Sequence, residues 1–246
     1  FDAAQGYSVA MRFTKMHGLG NDYLFLDAVR EPAILLYPDL PALVRSVCDR
    51  HESIGADGVI VISRPGVSSA RPGDKPDAVA MRIYNADGSE GGNGARCACK
   101  LAVERGHVTP GPGGVMKLVV LAGEAARSLD ARVFPNPDLP GEINRVEIDM
   151  GAPTLDFAAI PVDESRLGRR SDPLHPHEHF VDGHAGVFVN MGNPHFVVFT
   201  QHDPDALADR IGPPLESHPA FPQRMNIQVV RMAGKSRIVL RTWESG

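Results

Sequence analysis

A chain of 246 residues, 43% hydrophobic and 22% charged, has the balance of a soluble globular protein with room for two ordinary domains or one large one. Its net charge is −5 and its basic residues are scattered, which argues against nucleic acid as the main partner. No apolar run approaches the length of a membrane span.

The opening FDAAQGYSVA has neither a basic start nor an apolar stretch, so it is no secretory signal, and residues 1–10 are expected to be a non-native or disordered leader before Met11. The three cysteines, Cys48, Cys97 and Cys99, then read as free thiols of a cytoplasmic protein. Residues 11–28 alternate apolar and polar positions around Gly18-Leu-Gly-Asn-Asp22, predicting strand, loop, strand. Leu40, Leu43, Val44 and Val47 fall at helical spacing within 39–50. The β-branched run 58–63 predicts a buried strand, 64–77 a Pro- and Gly-rich surface loop, and 79–84 a strand. Asn93 to Arg105 predicts a helix stopped by Gly106, buried as the axis of its domain. Strands are expected at 115–121, 127–134, 143–150, 186–191, 224–231 and 236–243, with a short helix at 203–211. The Pro-rich break at 135–141 sets the expected domain boundary, giving 11–141 and 142–246, and many strands with few helices indicate an α+β class.

The richest stretch runs from Asn85 to Cys97, NADGSEGGNGARC. Glycines at a helix start let a ligand approach bare backbone N–H groups, where the helix dipole favours an anion such as a carboxylate. A tight turn with Asn capping the helix would account for the same residues. A second segment, Asn190-Met-Gly-Asn-Pro-His195, again ends a strand in Gly-Asn, with Asn193 pushed toward extended geometry by Pro194 and His195 at a strand edge. Three Gly-Asn turns converging on one small zwitterionic ligand would unite these pieces. His175, His177, His179 and His184, set among prolines and acids, read as a polar surface loop rather than a metal site.

KMHGLGND at 15–22, GADG at 55–58, NADGSE and GNGARC within 85–97, NMGNPH at 190–195 and RTWE at 241–244 resemble diaminopimelate epimerases, in the same order and in both halves. GADG by itself reads as a turn before a buried strand, with no chemistry of its own. The resemblance implies two similar domains, each a curved mixed or antiparallel sheet wrapped around a central helix, with the second truncated here and the substrate between them. It implies no pyridoxal phosphate and no metal. One cysteine thiolate removes the α-proton from one face while a second thiol delivers a proton to the other. By residue-wise carry-over, Asn21, Asn85, Asn193 and Asn226 bind substrate, Gly92 and Asn93 offer amides to the α-carboxylate, and Glu244 meets the amino end. His195 tunes thiol pKa. The expected partner is diaminopimelate, not nucleic acid or membrane, and a homodimer is left open.

Two departures stand out. Only Glu90 and Gly91 separate Ser89 from Gly92, so Gly91 takes the place where the family has its first catalytic cysteine. The second cysteine, expected after the Trp-Glu segment, is absent, and Ser245 stands where an Arg is usual. Cys97 is expected to be core packing. The sequence therefore predicts an incomplete, inactive copy of an epimerase; a racemase or isomerase of another substrate and a non-catalytic amino-acid-binding relative are the rival readings.

Overall fold

The computed structural model describes residues 11–18, 20–66, 78–88, 94–168 and 175–244. It separates into two compact units, meeting in the chain at Met150 and Gly151. Both are mixed sheets carrying few helices, an α+β fold.

The first unit is a seven-stranded sheet in sequential order, β1 (Phe13–Gly18), β2 (Asn21–Asp27), β3 (Gly58–Ser63), β4 (Ala78–Asn85), β5 (Val115–Ala122), β6 (Ala125–Pro135) and β7 (Ile143–Asp149). β2 pairs parallel with β3 and β4 with β5; the remaining neighbours are antiparallel. Each parallel step needs a crossover, and each crossover carries a helix. Helix α1 (Leu40–Cys48) starts on Asp39, whose carboxylate accepts from Ala42 N–H at 2.9 Å, and it packs with Leu24, Leu26, Val59 and Val61 on one face. Helix α2 (Ala95–Glu104) lies on the other, burying Cys97, Ala98, Leu101 and Ala102 against Tyr23, Phe25, Ile60, Ile62 and Met81. Because both faces of β3 are covered, its whole run GVIVIS is buried, as a continuous β-branched stretch demands. Helix α2 stops at Arg105, and Gly106 takes the left-handed conformation (φ 71°) that ends helices.

The expected domain boundary at 141 is displaced. The 135–141 break is a turn inside the first unit, because β7 pairs antiparallel with β6 and closes that sheet before the chain moves on.

The second unit is a five-stranded sheet in the order β12 (Ile238–Trp243), β11 (Asn226–Met232), β10 (Pro194–Phe199), β9 (His184–Asn190), β8 (Glu178–Val181). β10 and β11 are parallel and joined by α3 (Pro204–Glu216). Leu207, Ala208, Ile211 and Leu215 of α3 cover Phe196, Val198, Ile227 and Val229. The helix was expected to end at 211, before Pro213 and Pro214. It continues one turn further because Leu215 is buried and Glu216 is held by both Trp243 and Arg224, contacts that offset the lost backbone bonds. The polar loop expected around His175 to His184 is in part a hairpin: β8 and β9 pair from Glu178 to Val187, and the His179 ring stacks on Phe157 at 4.7 Å. His195 lies at the start of its strand, as the second residue of β10, which is the central strand of the sheet.

Candidate functional site

In the first unit the predicted residues gather at one end of the sheet. Asn21 opens β2 and Asn85 closes β4, and the register places Tyr23 beside Gly58 and Gly58 beside Asn85. Asn21, Tyr23 and Phe25 alternate onto the face that α2 covers, as do Asn85 and Ile83. Helix α2 begins on Gly94 at φ 94°, with no side-chain cap. A Cβ there would stand 2.3 Å from the Ile60 methyl, so glycine is what lets the helix start press onto the sheet beside Tyr23. Among the described residues, the first turn of α2 has no side-chain cap, at the end of the sheet that bears two of the predicted asparagines. Gly91, Gly92 and Asn93 lie outside the described residues.

A charged lattice braces this end, and it gives GADG a part that the motif alone did not suggest. The Asp57 carboxylate accepts from Asp22 N–H at 2.8 Å, while Asp57 N–H donates to the Asp22 carbonyl and Ala86 N–H to the Asp57 carbonyl. Arg50 reaches both carboxylates, at 2.6 and 2.7 Å, and Lys15 sits 3.0 Å from Asp22. The Arg50 guanidinium, helped by Lys15, holds the Asp22 carboxyl far below the usual carboxylate range against the opposing effect of burial. One aspartate thus ties the ends of β2, β3 and β4 together, next to Asn21 and Asn85. The legible signal was an acid inside each of two glycine turns, GLGND and GADG.

The cysteines are elsewhere in character. Cys48, Cys97 and Cys99 are all buried and unbridged, and they are the only three in the sequence. Burial pushes Cys99 up to about 12 and Cys48 up to about 11; it raises Cys97 too, with Arg96 and Lys100 opposing. The Cys97 thiol donates to the His17 carbonyl at 3.6 Å, which fits its expected packing role. Burial thus works against the thiolate form at all three.

In the second unit the structure brings Asn193, His195, Asn226 and Glu244 together. His195 and Asn226 are register partners across β10 and β11, and the Asn226 amide donates to the Pro194 carbonyl at 3.2 Å. The Asn193 carbonyl oxygen lies 2.9 Å from His195 Nε2, and the Gln228 amide nitrogen 3.1 Å from Nδ1. Burial lowers the His195 pKa, against the carboxylate of Glu244, which pulls it up. Glu244 follows Trp243, whose indole N–H donates to Glu216 of α3 at 2.9 Å. The indole lies where a Cβ on Gly212 would be 2.4 Å from the ring, so a glycine in mid-helix makes its seat. The sequence did not single out Gly212 or Glu216; in an isolated helix they read as ordinary positions. Among the described residues, no three His, Cys, Asp or Glu side chains form a group that could hold a metal.

A family model described as diaminopimelate epimerase matches residues 13–126. The diaminopimelate epimerase of Geobacillus kaustophilus (strain HTA426) is 37% identical over 95% of this chain and 74% of its own length. That of Desulfitobacterium hafniense (strain DSM 10664 / DCB-2) is 35% identical over 96% of this chain and 76% of its own. A solved structure of methylitaconate-delta-isomerase superposes with a TM-score of 0.47 at 15% identity, over 89% of this chain and 67% of that one.

Proposed function

The chain belongs to the diaminopimelate epimerase family, a family of isomerases, and on that footing we propose that its polar clusters serve the interconversion of LL- and meso-2,6-diaminopimelate. The reaction moves an α-proton off one face of a carbon and returns one to the other, so it needs a base, an acid and a site that stabilises the intervening carbanion. The observation that carries this reading is the start of α2 on a left-handed glycine at the sheet end bearing Asn21 and Asn85. Amides without a side-chain cap suit the substrate α-carboxylate, and they stabilise the charge that develops as the α-proton leaves. The family resemblance would add the amides of Gly92 and Asn93, which lie outside the described residues, to that set. Asn193 and Asn226 suit ammonium and carboxylate groups, since an amide side chain both donates and accepts, and the Glu244 carboxylate suits an ammonium group.

The finer reading is that residues 1–246, with Gly91 in place of the first cysteine and all three thiols buried, bind diaminopimelate without epimerising it. The parent reaction would run without pyridoxal phosphate or metal, in the cytoplasm, in lysine and peptidoglycan synthesis. Titration calorimetry with diaminopimelate, paired with proton NMR of the same sample in deuterated buffer, tests both parts. Binding with no loss of the α-proton signal is expected. Robust exchange would mean that one of the buried thiols or another base does the chemistry, and absence of binding would remove the substrate assignment. Asn193→Ala should weaken binding by about 1–3 kcal/mol, the usual loss for a hydrogen bond to a charged group, with the fold intact.

A further inference from the structure

His195 is the one imidazole in the predicted site, and what it can do depends on where its proton sits. In the structure both ring nitrogens have amide partners. The Asn193 carbonyl oxygen faces Nε2 at 2.9 Å, and an oxygen there requires a proton on Nε2. The Gln228 amide nitrogen faces Nδ1 at 3.1 Å and can only donate, which requires a lone pair on Nδ1. At its other end the Gln228 carbonyl oxygen accepts from the Thr242 hydroxyl at 2.6 Å, so both ends of this amide are paired. Strand register makes the chain of contacts possible: Gln228 lies directly opposite Thr242 across β11 and β12, and His195, parallel to β11, pairs beside Asn226, two residues before Gln228. His195, Gln228 and Thr242 share one face of the sheet.

We propose that Gln228 and Thr242 are positioning residues that hold His195 as a neutral imidazole with its proton on Nε2, so that the ring acts as a hydrogen-bond donor and neither as a base nor as a charge. This deepens the proposed function, resting on His195 belonging to the substrate site. The ring's one lone pair is occupied by Gln228 N–H, so His195 has no free nitrogen with which to take a proton from substrate or thiol. Protonation would bring two N–H groups face to face at Nδ1, which opposes the imidazolium. The half-buried setting works in the same direction, and Glu244 is the charged side chain that acts against it. The influence of His195 on a neighbouring thiol or carboxylate would then come through an N–H contact shared with Asn193.

Long-range proton–nitrogen NMR on the 15N-labelled 246-residue chain reads the tautomer directly, with His195→Gln identifying the His195 signals. At pH 7 the wild-type ring is expected to show a protonated Nε2 and an unprotonated Nδ1. Gln228→Glu replaces the donor by a carboxylate, which accepts from Nδ1–H; the ring should become imidazolium or switch tautomer, with its pKa raised by about one pH unit or more. Thr242→Val leaves Gln228 free to turn over and should give a mixture of tautomers. A third variant, Gln228→Leu, removes the donor without adding charge and should also mix them, while amide signals of the first unit stay in place in all three. A wild-type ring protonated on Nδ1, or an Nε2 tautomer that persists unchanged through Gln228→Glu and Thr242→Val, would overturn the proposal. Diaminopimelate titration of the same samples separates the two readings: loss of binding with the tautomer intact tells against the substrate, not against the relay.

Discussion

The two units follow the same path for half their length and then differ. β1, β2, α1, β3 and β4 of the first unit match β9, β10, α3, β11 and β12 of the second: a hairpin, a helical crossover to a parallel strand, and a second hairpin. The glycine-asparagine turns fall at equivalent places, GLGND entering β2 and MGNP entering β10. Asn85 follows Tyr84 at the end of β4 as Glu244 follows Trp243 at the end of β12. The difference lies on the other face. In the first unit α2 seals it; in the second, among the described residues, Phe199, Met232, Ile238 and Leu240 are each at least half exposed there. Phe199, Val230 and Leu240 are direct neighbours across three strands, so this is a continuous apolar row and not scattered side chains. A single helix suffices to set the turn geometry, while a second one is what turns a sheet face into a core.

Paired substitutions test that contrast. Leu118→Ala, fully buried on the α2 side of β5, should cost about 3 kcal/mol in urea unfolding, whereas Leu240→Ala on the open face should cost under about 1 kcal/mol. Equal costs would mean that the second face is covered after all. Gly58→Ala comes next, at about 2–3 kcal/mol, since its Cβ would meet the Tyr84 carbonyl at 2.3 Å and neither backbone can yield cheaply. Its counterpart on β11, Asn226, already carries a side chain, so the close approach is particular to the first unit.

Smaller than the losses at Leu118 and Gly58 is an electrostatic effect. Asp27 is buried, which alone would raise its pKa, but hydrogen bonds from His107 and Arg105, both at 2.8 Å, outweigh burial and lower it. A carboxylate held below its unfolded value contributes stability that is fully present above about pH 3.9 and fades as pH falls through the lowered folded pKa. Asp27→Asn should therefore cost about 1–2 kcal/mol at pH 7 and progressively less below pH 4, measured by urea midpoints across that range. A cost that did not shrink in acid would assign the role of Asp27 to packing.

Much of this was legible in the residues. The β-branched run at 58–63, the Leu-Val spacing of α1 and the Gly106 stop each reflect local rules, and the structure follows them. What was hidden depended on partners distant in sequence. The Pro-rich break at 135–141 resembled a linker because nothing local reveals that β7 returns to β6. The short helix expected at 203–211 runs on through Pro213 and Pro214 because Leu215 and Glu216 make contacts with β11 and β12. In the site, asparagines and glycines stood out because turns select them, whereas Gln228 and Thr242 looked like ordinary strand residues until register set them beside His195.

Trp243 has a use that follows from its seat on Gly212. It is the only tryptophan in the sequence, and it belongs wholly to the second unit, its indole lodged on α3 and hydrogen-bonded to Glu216. Indole emission is therefore a private reporter for that unit, silent about the first, while circular dichroism averages over both. If the unit with the open sheet face melts earlier, the fluorescence transition will precede the dichroism transition, and the gap between the two curves will measure how independently the halves of this chain hold together.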